Sequence, residues 1–386
     1  MATLESYRNL RNHLILASKI VGVEIWTAPG KIKPASCIVI VQLFFYFGCN
    51  TFTVLKYRSD FIYVLKILIT LGPAVQLFMK FVVYFWRVVD IKSYGEEIER
   101  ELLDPYQTGS PEEVVVLTRA GRLLWRIFRL SVIMLGSTGV AFLLYPIFIY
   151  MTQGETVPLF LYEVPYYDLN SVKRYFLNLA FQFQLYVLGM FGLLLSDFVF
   201  IMYVMYAMAR VNICIVHLRE LETMLNDPLL LATEMASVRC KWIQCMDDHR
   251  ITTGLLNKIE ELFGVMCFIQ VVMGVFTVCD VLLLVALTDW YPVHMFLVAV
   301  FFELSALFVV GHFVELKVDE LYDVIISTSW YRLPEEHHKE FGFLLFRQQR
   351  PLVLTMYGFA PVNFVSYSSV LKKLYQFFVL VMQYVD

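Results

Sequence analysis

The sequence predicts an all-α, polytopic membrane protein with seven transmembrane helices, a cytoplasmic N-terminus, an extracellular C-terminus and inner helix ends forming a cytoplasmic anchor bundle. Three observations predict it. Of 386 residues, 59% are hydrophobic and 17% charged, whereas soluble domains carry about 45–50% apolar and about 25% charged residues. Seven apolar segments, 35–55, 61–86, 130–151, 176–208, 262–288, 294–316 and 353–385, are each long enough to cross a hydrocarbon core of about 30 Å. The Lys and Arg between segments divide 23 to four across the two sides. Basic connections stay in the cytoplasm, which sets the orientation.

The same figures exclude several classes. A net charge of −3 gives no reason to invoke nucleic acid. The seven cysteines sit in apolar runs or, like Cys240 and Cys245, in a charged connection, so they read neither as a disulfide framework nor as a metal site. No Asn-x-Ser/Thr occurs. The orientation is the reverse of a G-protein-coupled receptor, and neither Asp-Arg-Tyr after the third segment nor Asn-Pro-x-x-Tyr in the seventh is present. That class is set aside.

The elements follow in order. The opening is charged and the first long apolar run starts only at Ala35, so no signal peptide is read. Leu4, Tyr7, Leu10 and Leu14 share one side of a short amphipathic helix, expected at a surface or membrane interface. The fourth segment is the longest, since its pattern continues through Val211, Ile215, Leu218 and Leu221 to about Leu225. A single helix of that length runs roughly 75 Å, more than twice the membrane core. The arms Ile251, Leu255, Ile259, Leu262 and Val314, Val318, Leu321, Ile325 repeat the periodicity, so several helices should bundle below the bilayer. In the last segment Ser369, Lys372, Gln376, Leu380 and Gln383 recur every three or four residues. That stripe must meet protein or water, either another helix of the chain or an aqueous path.

Charges inside the spans are the next candidates. Lys66 and Lys80 lie near the ends of the second segment and can snorkel. Asp197 reads as a helix–helix bond, while Asp280 and Glu303 read equally as pocket contacts or structural pairs. His337 and His338 adjoin Pro334, Glu335 and Glu336 and read as a solvated face. No spacing fits His-Glu-x-x-His, a phosphate loop, a nucleophile elbow or paired catalytic carboxylates, so neither catalysis nor a cofactor is expected. Aromatic residues crowd the outer halves: Phe61, Tyr63, Phe142, Tyr145, Phe176, Phe183, Tyr186 and Phe276. Two explanations stand for them, an interfacial belt and the wall of an apolar cavity with Thr70, Thr138 and Gln182 as polar contacts.

From residue 327 onward a family resemblance enters. Ser327-Thr328-Ser329-Trp330-Tyr331, Arg347-Gln348-Gln349-Arg350-Pro351, Gly358-Phe359, Asn363-Phe364 and Ser366-Tyr367, closing on an apolar helix, resemble the signature of insect odorant receptors. Pro165-Tyr166, Gln182, Asp197, His249 and Ile259-Glu260 also fit. The resemblance implies an odorant-gated, non-selective cation channel of four subunits, assembled with a shared co-receptor. It places the protein in the plasma membrane of a sensory neuron's dendrite, with a small volatile ligand in each subunit's outer half, between helices two and six. The chain then divides into a cytoplasmic arm (1–34), six spanning helices with the pocket (35–316), an anchor segment (317–352) and a seventh, pore-lining helix (353–386).

By this resemblance the pore and gate fall at Gln376, Leu380, Gln383 and Tyr384. The pocket candidates are Ile69, Thr70, Thr138, Phe142, Tyr145, Phe176, Phe183, Tyr186, Phe276 and Cys279. Gustatory receptors carry Thr-Tyr, five apolar residues and Gln-Phe where this chain has Gln376-Phe377 and Gln383-Tyr384, a departure that favours the odorant branch. The connection between the fourth and fifth segments lacks the co-receptor's long insertion, which implies a tuning subunit. Lys372 and Lys373 depart from what a cation path needs. A homomeric gustatory-type channel is the alternative within the family; a transporter would show an internal repeat and short interrupted helices, and neither is seen.

Overall fold

The computed structural model describes the chain except residues 1, 28, 32, 107, 166–170, 351 and 386. It consists of α1 (Ala2–Val21), α2 (Pro34–Lys56), α3 (Phe61–Leu68), α4 (Leu71–Ile98), α5 (Asp104–Tyr106), α6 (Pro111–Gln153), α7 (Val172–Asn226), α8 (Pro228–Thr233), α9 (Met235–Leu287), α10 (Pro292–Ser327), α11 (His338–Gln348) and α12 (Phe364–Val385). Among the described residues six stretches are long and apolar enough to cross a membrane: α2, Phe61–Tyr106, α6, α7, α9 and α10. The 22-residue α12 measures about 33 Å, but Lys372, Lys373, Gln376 and Gln383 reduce its apolar content.

Position in the bundle follows from how much of each helix is apolar. From Phe198 to Val211 every residue of α7 is buried. A run without a polar face has no side to give to solvent, so it becomes the centre. The helices α1, α4, α6, α9 and α10 pack around it. Tyr7, Leu10 and Leu14 are buried, with the Tyr7 ring edge-on to Tyr206 at 5.2 Å, and Arg11 pairs with Glu99. The amphipathic helix α1 thus lies at the surface of the bundle, its apolar side closing the core and its other side exposed.

Helix ends follow local chemistry. Ser110 and Glu113 form a capping box and Pro111 opens α6; Gly154, at φ +71°, closes it by donating to the Tyr150 carbonyl. The expected single segment 61–86 is broken at Ile69–Thr70, between α3 and α4. Pro73 lies in the first turn of α4, where its missing N–H costs nothing, and a continuous helix through it would lose a bond.

The last helix starts at Phe364 rather than 353. Before it, Thr355 and Pro361 pair in a short antiparallel bridge, and Tyr357 and Gly358 adopt positive φ. Asn363 then caps α12, its Oδ1 accepting from Ser366 N at 3.0 Å. The apolar run 353–363 is turn, because a proline and a tight reversal precede the first usable cap.

Candidate ligand cavity and the free face of the last helix

One end of the bundle holds a half-open cavity of about 140 Å³ between α2, the α3–α4 break, the start of α4, α6, α7, α10 and Phe160 of the connection after α6. Leu43, Tyr46, Thr70, Leu77, Thr138, Phe142, Phe160, Tyr186, Leu193, Phe296 and Glu303 are among its lining residues. Phe142 is the hub of the aromatic wall, with Trp290, Phe296 and Phe160 at ring distances of 5.8, 5.8 and 5.9 Å. The space is left because Gly139 brings α6 against α7, so that a Cβ there would meet the Tyr186 ring at 2.4 Å, while rings above and below hold the helices apart.

The part of the connection around Phe160 and Glu163 is fastened as a cover. The fully buried Gln182 accepts from Phe160 N at 3.0 Å and donates to Phe160 O at 3.1 Å, satisfying backbone groups that would otherwise be orphaned. Glu163 accepts from Lys56 Nζ at 2.6 Å and Tyr57 Oη at 2.5 Å. Tyr46 Oη and Thr70 Oγ1 share a hydrogen bond of 2.5 Å.

Beneath the cavity α4, α7 and α10 are joined by charge. Lys80 is buried and bonds Asp197, with Glu303 Oε1 at 3.8 Å; Gln76 donates to the same Glu303 oxygen at 2.6 Å. The snorkelling expected for Lys80 is corrected, since two carboxylates hold its ammonium inside. Asp197 makes the helix–helix bond expected of it. Asp280 lies outside the cavity, both its oxygens buried without a hydrogen-bond partner.

A second feature is the orientation of α12. Tyr367, Val370, Leu371, Leu374, Phe378 and Val381 form its packed side, with Tyr367 stacked on Phe308 at 5.0 Å and bonded to Ser305 at 2.6 Å. The stripe of Lys372, Gln376, Leu380 and Gln383 points the other way and is exposed. Of the two readings left open for it, packing against another helix of the same chain is excluded.

With this geometry in view, the family model of the seven-transmembrane odorant receptors matches residues 60–375. The chain belongs to the insect odorant receptor family. The backbone superposes on the olfactory receptor OR5 of Machilis hrabei, solved in complex with eugenol and without it, with a TM-score of 0.75 in both cases. Identity is 14% and 13%, and each match covers 98% of this chain and 100% of the other, a likeness of fold. Odorant receptor 83c of Drosophila melanogaster is 28% identical over 91 residues, which are 24% of this chain and 23% of that relative. This odorant receptor is a multi-pass membrane receptor.

In this odorant receptor four of the ten pocket candidates line the cavity: Thr70, Thr138, Phe142 and Tyr186. The other six do not. Ile69 is buried in the surrounding core, Tyr145 and Phe183 pack behind the wall, Phe176 is exposed beside Tyr150 and Tyr175, Phe276 is half exposed on α9, and Cys279 packs into the larger core. The span α9 contributes no residue to the wall, whereas the first span α2 contributes Gln42, Leu43 and Tyr46, so the expected limits of helices two to six are corrected. Gln182, expected as a polar contact in the pocket, instead clamps the cover. Phe160 was missed because its connection carries no periodicity; the buried amide of Gln182 opposite it was the available signal. Gln376, Leu380 and Gln383 share the exposed stripe, and the Tyr384 side chain lies outside the described residues.

Proposed function

We propose that this receptor is an odorant-gated, non-selective cation channel subunit that binds a small volatile hydrophobic molecule in the cavity. It assembles with the olfactory co-receptor into a tetramer in the plasma membrane of a sensory dendrite. The N-terminus is cytoplasmic and the C-terminus extracellular, with α12 as the seventh crossing. The supporting observation is the free face of α12, where exposed Leu380 alternates with exposed Gln376 and Gln383. Polar groups at membrane depth need water or protein, and four such faces around an axis form an aqueous path.

Ligand capture follows from the cavity. An engineered apolar cavity of about 150 Å³ holds benzene, so about 140 Å³ suits a short aliphatic or single-ring molecule. Burying its surface yields about 25 cal/mol per Å², and the shape of the wall sets selectivity. Gating requires tighter binding when the α12 helices are splayed; equal affinity for both states opens nothing.

Whole-cell current under a panel of volatile organics, in cells expressing this chain, the co-receptor or both, tests the reading. Current that needs both chains and persists without intracellular GTP is expected; silence in every combination at normal surface expression overturns it. Leu380→Ala should raise basal current or change ion selectivity. An unaltered leak and selectivity would remove Leu380 from the gate.

A further inference from the structure

Among the described residues Glu303 is the only formally charged one in the wall of the cavity, and it belongs to a cluster of one ammonium and two carboxylates. One ammonium, Lys80, faces two carboxylates, Asp197 and Glu303. Lys80 bonds Asp197 and stands 3.8 Å from Glu303 Oε1, beyond hydrogen-bond distance. Among the described residues neither carboxylate has another cation within ion-pair reach. One ammonium cannot neutralise both carboxylates, so the second must either hold a proton or meet a cation, in a setting where an uncompensated charge is costly.

The hydroxyls of the wall have their donors committed, and Gln42 Nε2 donates to Gln184 Oε1 at 3.2 Å. Tyr46 and Thr70 bond each other, Thr138 Oγ1 donates to Met134 O at 2.9 Å, and Tyr186 Oη donates to Leu135 O at 2.5 Å. Two smaller cavities, lined in part by Gln270 and the same Glu303, adjoin the main one at this point, so the carboxylate is approached by open space from several sides. The wall is therefore mostly apolar, with hydroxyls and one amide already engaged with protein and a carboxylate at its floor.

We propose that the preferred ligand is a small, predominantly apolar amine whose ammonium docks on Glu303 and completes the charge of the Lys80–Asp197–Glu303 cluster. This rests on the cavity being the ligand site, and it makes Glu303 the residue that sets ligand class. The amine acts where α4, α7 and α10 meet, so its binding also bears on how those helices pack.

Benzylamine, benzyl alcohol and ethylbenzene share one skeleton and differ in the terminal group, so they separate charge, donor and shape. Ligand-dependent thermal stabilisation of the purified full-length chain, alone and with the co-receptor, reads binding without requiring conduction. Benzylamine should bind roughly 10- to 100-fold more tightly than ethylbenzene, the range of a charge-assisted hydrogen bond. In Glu303→Gln it should fall to the ethylbenzene level while ethylbenzene changes by less than about twofold, the difference lying in the charge-assisted bond alone. Ethylbenzene equal to benzylamine in the unaltered protein overturns the proposal, whether or not the variant folds, and so does benzyl alcohol equal to benzylamine. Amine-selective binding without current would leave this inference standing and overturn the channel; current evoked equally by all three would do the reverse.

Discussion

The two ends of this bundle are built from the same helices and solve opposite problems. At the cavity end α6, α7 and α10 hold aromatic rings around unfilled space, and the chain is tied across it by single hydrogen bonds such as Tyr46–Thr70. Toward the far end α7 is buried on every side from Phe198 to Val211, and its polar groups meet charged partners on neighbouring helices. Arg210 Nη2 donates to Asp248 Oδ1 at 2.5 Å, His217 Nδ1 lies 2.5 Å from Asp248 Oδ2, and His217 Nε2 lies 2.7 Å from Glu113 Oε1. The Arg210 guanidinium also lies 5.3 Å from the centroid of the Tyr106 ring. Under the proposed function, ligand fit needs walls that can adjust and subunit assembly needs a part that cannot, and one set of helices keeps the two requirements apart along its length.

The comparison can be broken most directly at Asp248. Asp248→Asn keeps the shape and removes the charge, leaving Arg210 buried and unpaired, a loss of about 3–5 kcal/mol against total stabilities of about 5–15 kcal/mol. Size-exclusion chromatography in detergent should lose the monodisperse receptor; an unchanged profile and Tm would show that the far end is no firmer than the cavity end. Gly139→Ala should act less severely. Its Cβ would press on the Tyr186 ring, and overpacking costs about 1–3 kcal/mol, absorbed here by moving the ring into the cavity. Tm should fall modestly while ligand potency falls clearly, and a Tm loss as large as that of Asp248→Asn with unaltered potency would contradict an adjustable wall.

The smallest effect is a pH dependence. Burial alone opposes the His217 imidazolium, but the hydrogen bonds to Asp248 and Glu113 outweigh it and raise its pKa. Burial likewise opposes the Asp248 carboxylate, and its bonds with His217 and Arg210 outweigh that and lower its pKa. A raised histidine contributes fully below its unfolded pKa of about 6.5 and loses the contribution as pH climbs through the folded value. A lowered aspartate contributes above its unfolded value of about 3.9 and loses that contribution in acid. Tm should therefore be flat between these limits and decline on the alkaline side, and His217→Gln should flatten the alkaline decline. A decline of the same size in that variant would assign it to other groups.

What was legible in the sequence was whatever a single helix expresses by itself. The periodicity that carried α7 past the membrane to about Leu225 and the stripe on α12 are local patterns, and α7 does end at Asn226. What was not legible depended on partners. Lys80 near a helix end looks the same whether it snorkels or meets Asp197 and Glu303 from two other helices. His337 in a charged stretch looked solvated but is buried, 2.7 Å from Glu340. Phe176 and Phe142 are both aromatic residues on spanning helices; only packing makes one a surface ring and the other the hub of a cavity.

The unbroken backbone of α7 carries Tyr186 at the cavity, Asp197 beneath it, Arg210 and His217 in the far network, and Glu222 where it accepts from Ser329 N at 2.7 Å. Tyr186 and His217 stand about 46 Å apart along it at 1.5 Å per residue. Inserting or deleting one residue between them would turn everything below by about 100° and uncouple every one of these partners at once. A length change that keeps these contacts must therefore fall outside the segment from Tyr186 to Glu222, whose residue count is fixed by the partners it serves.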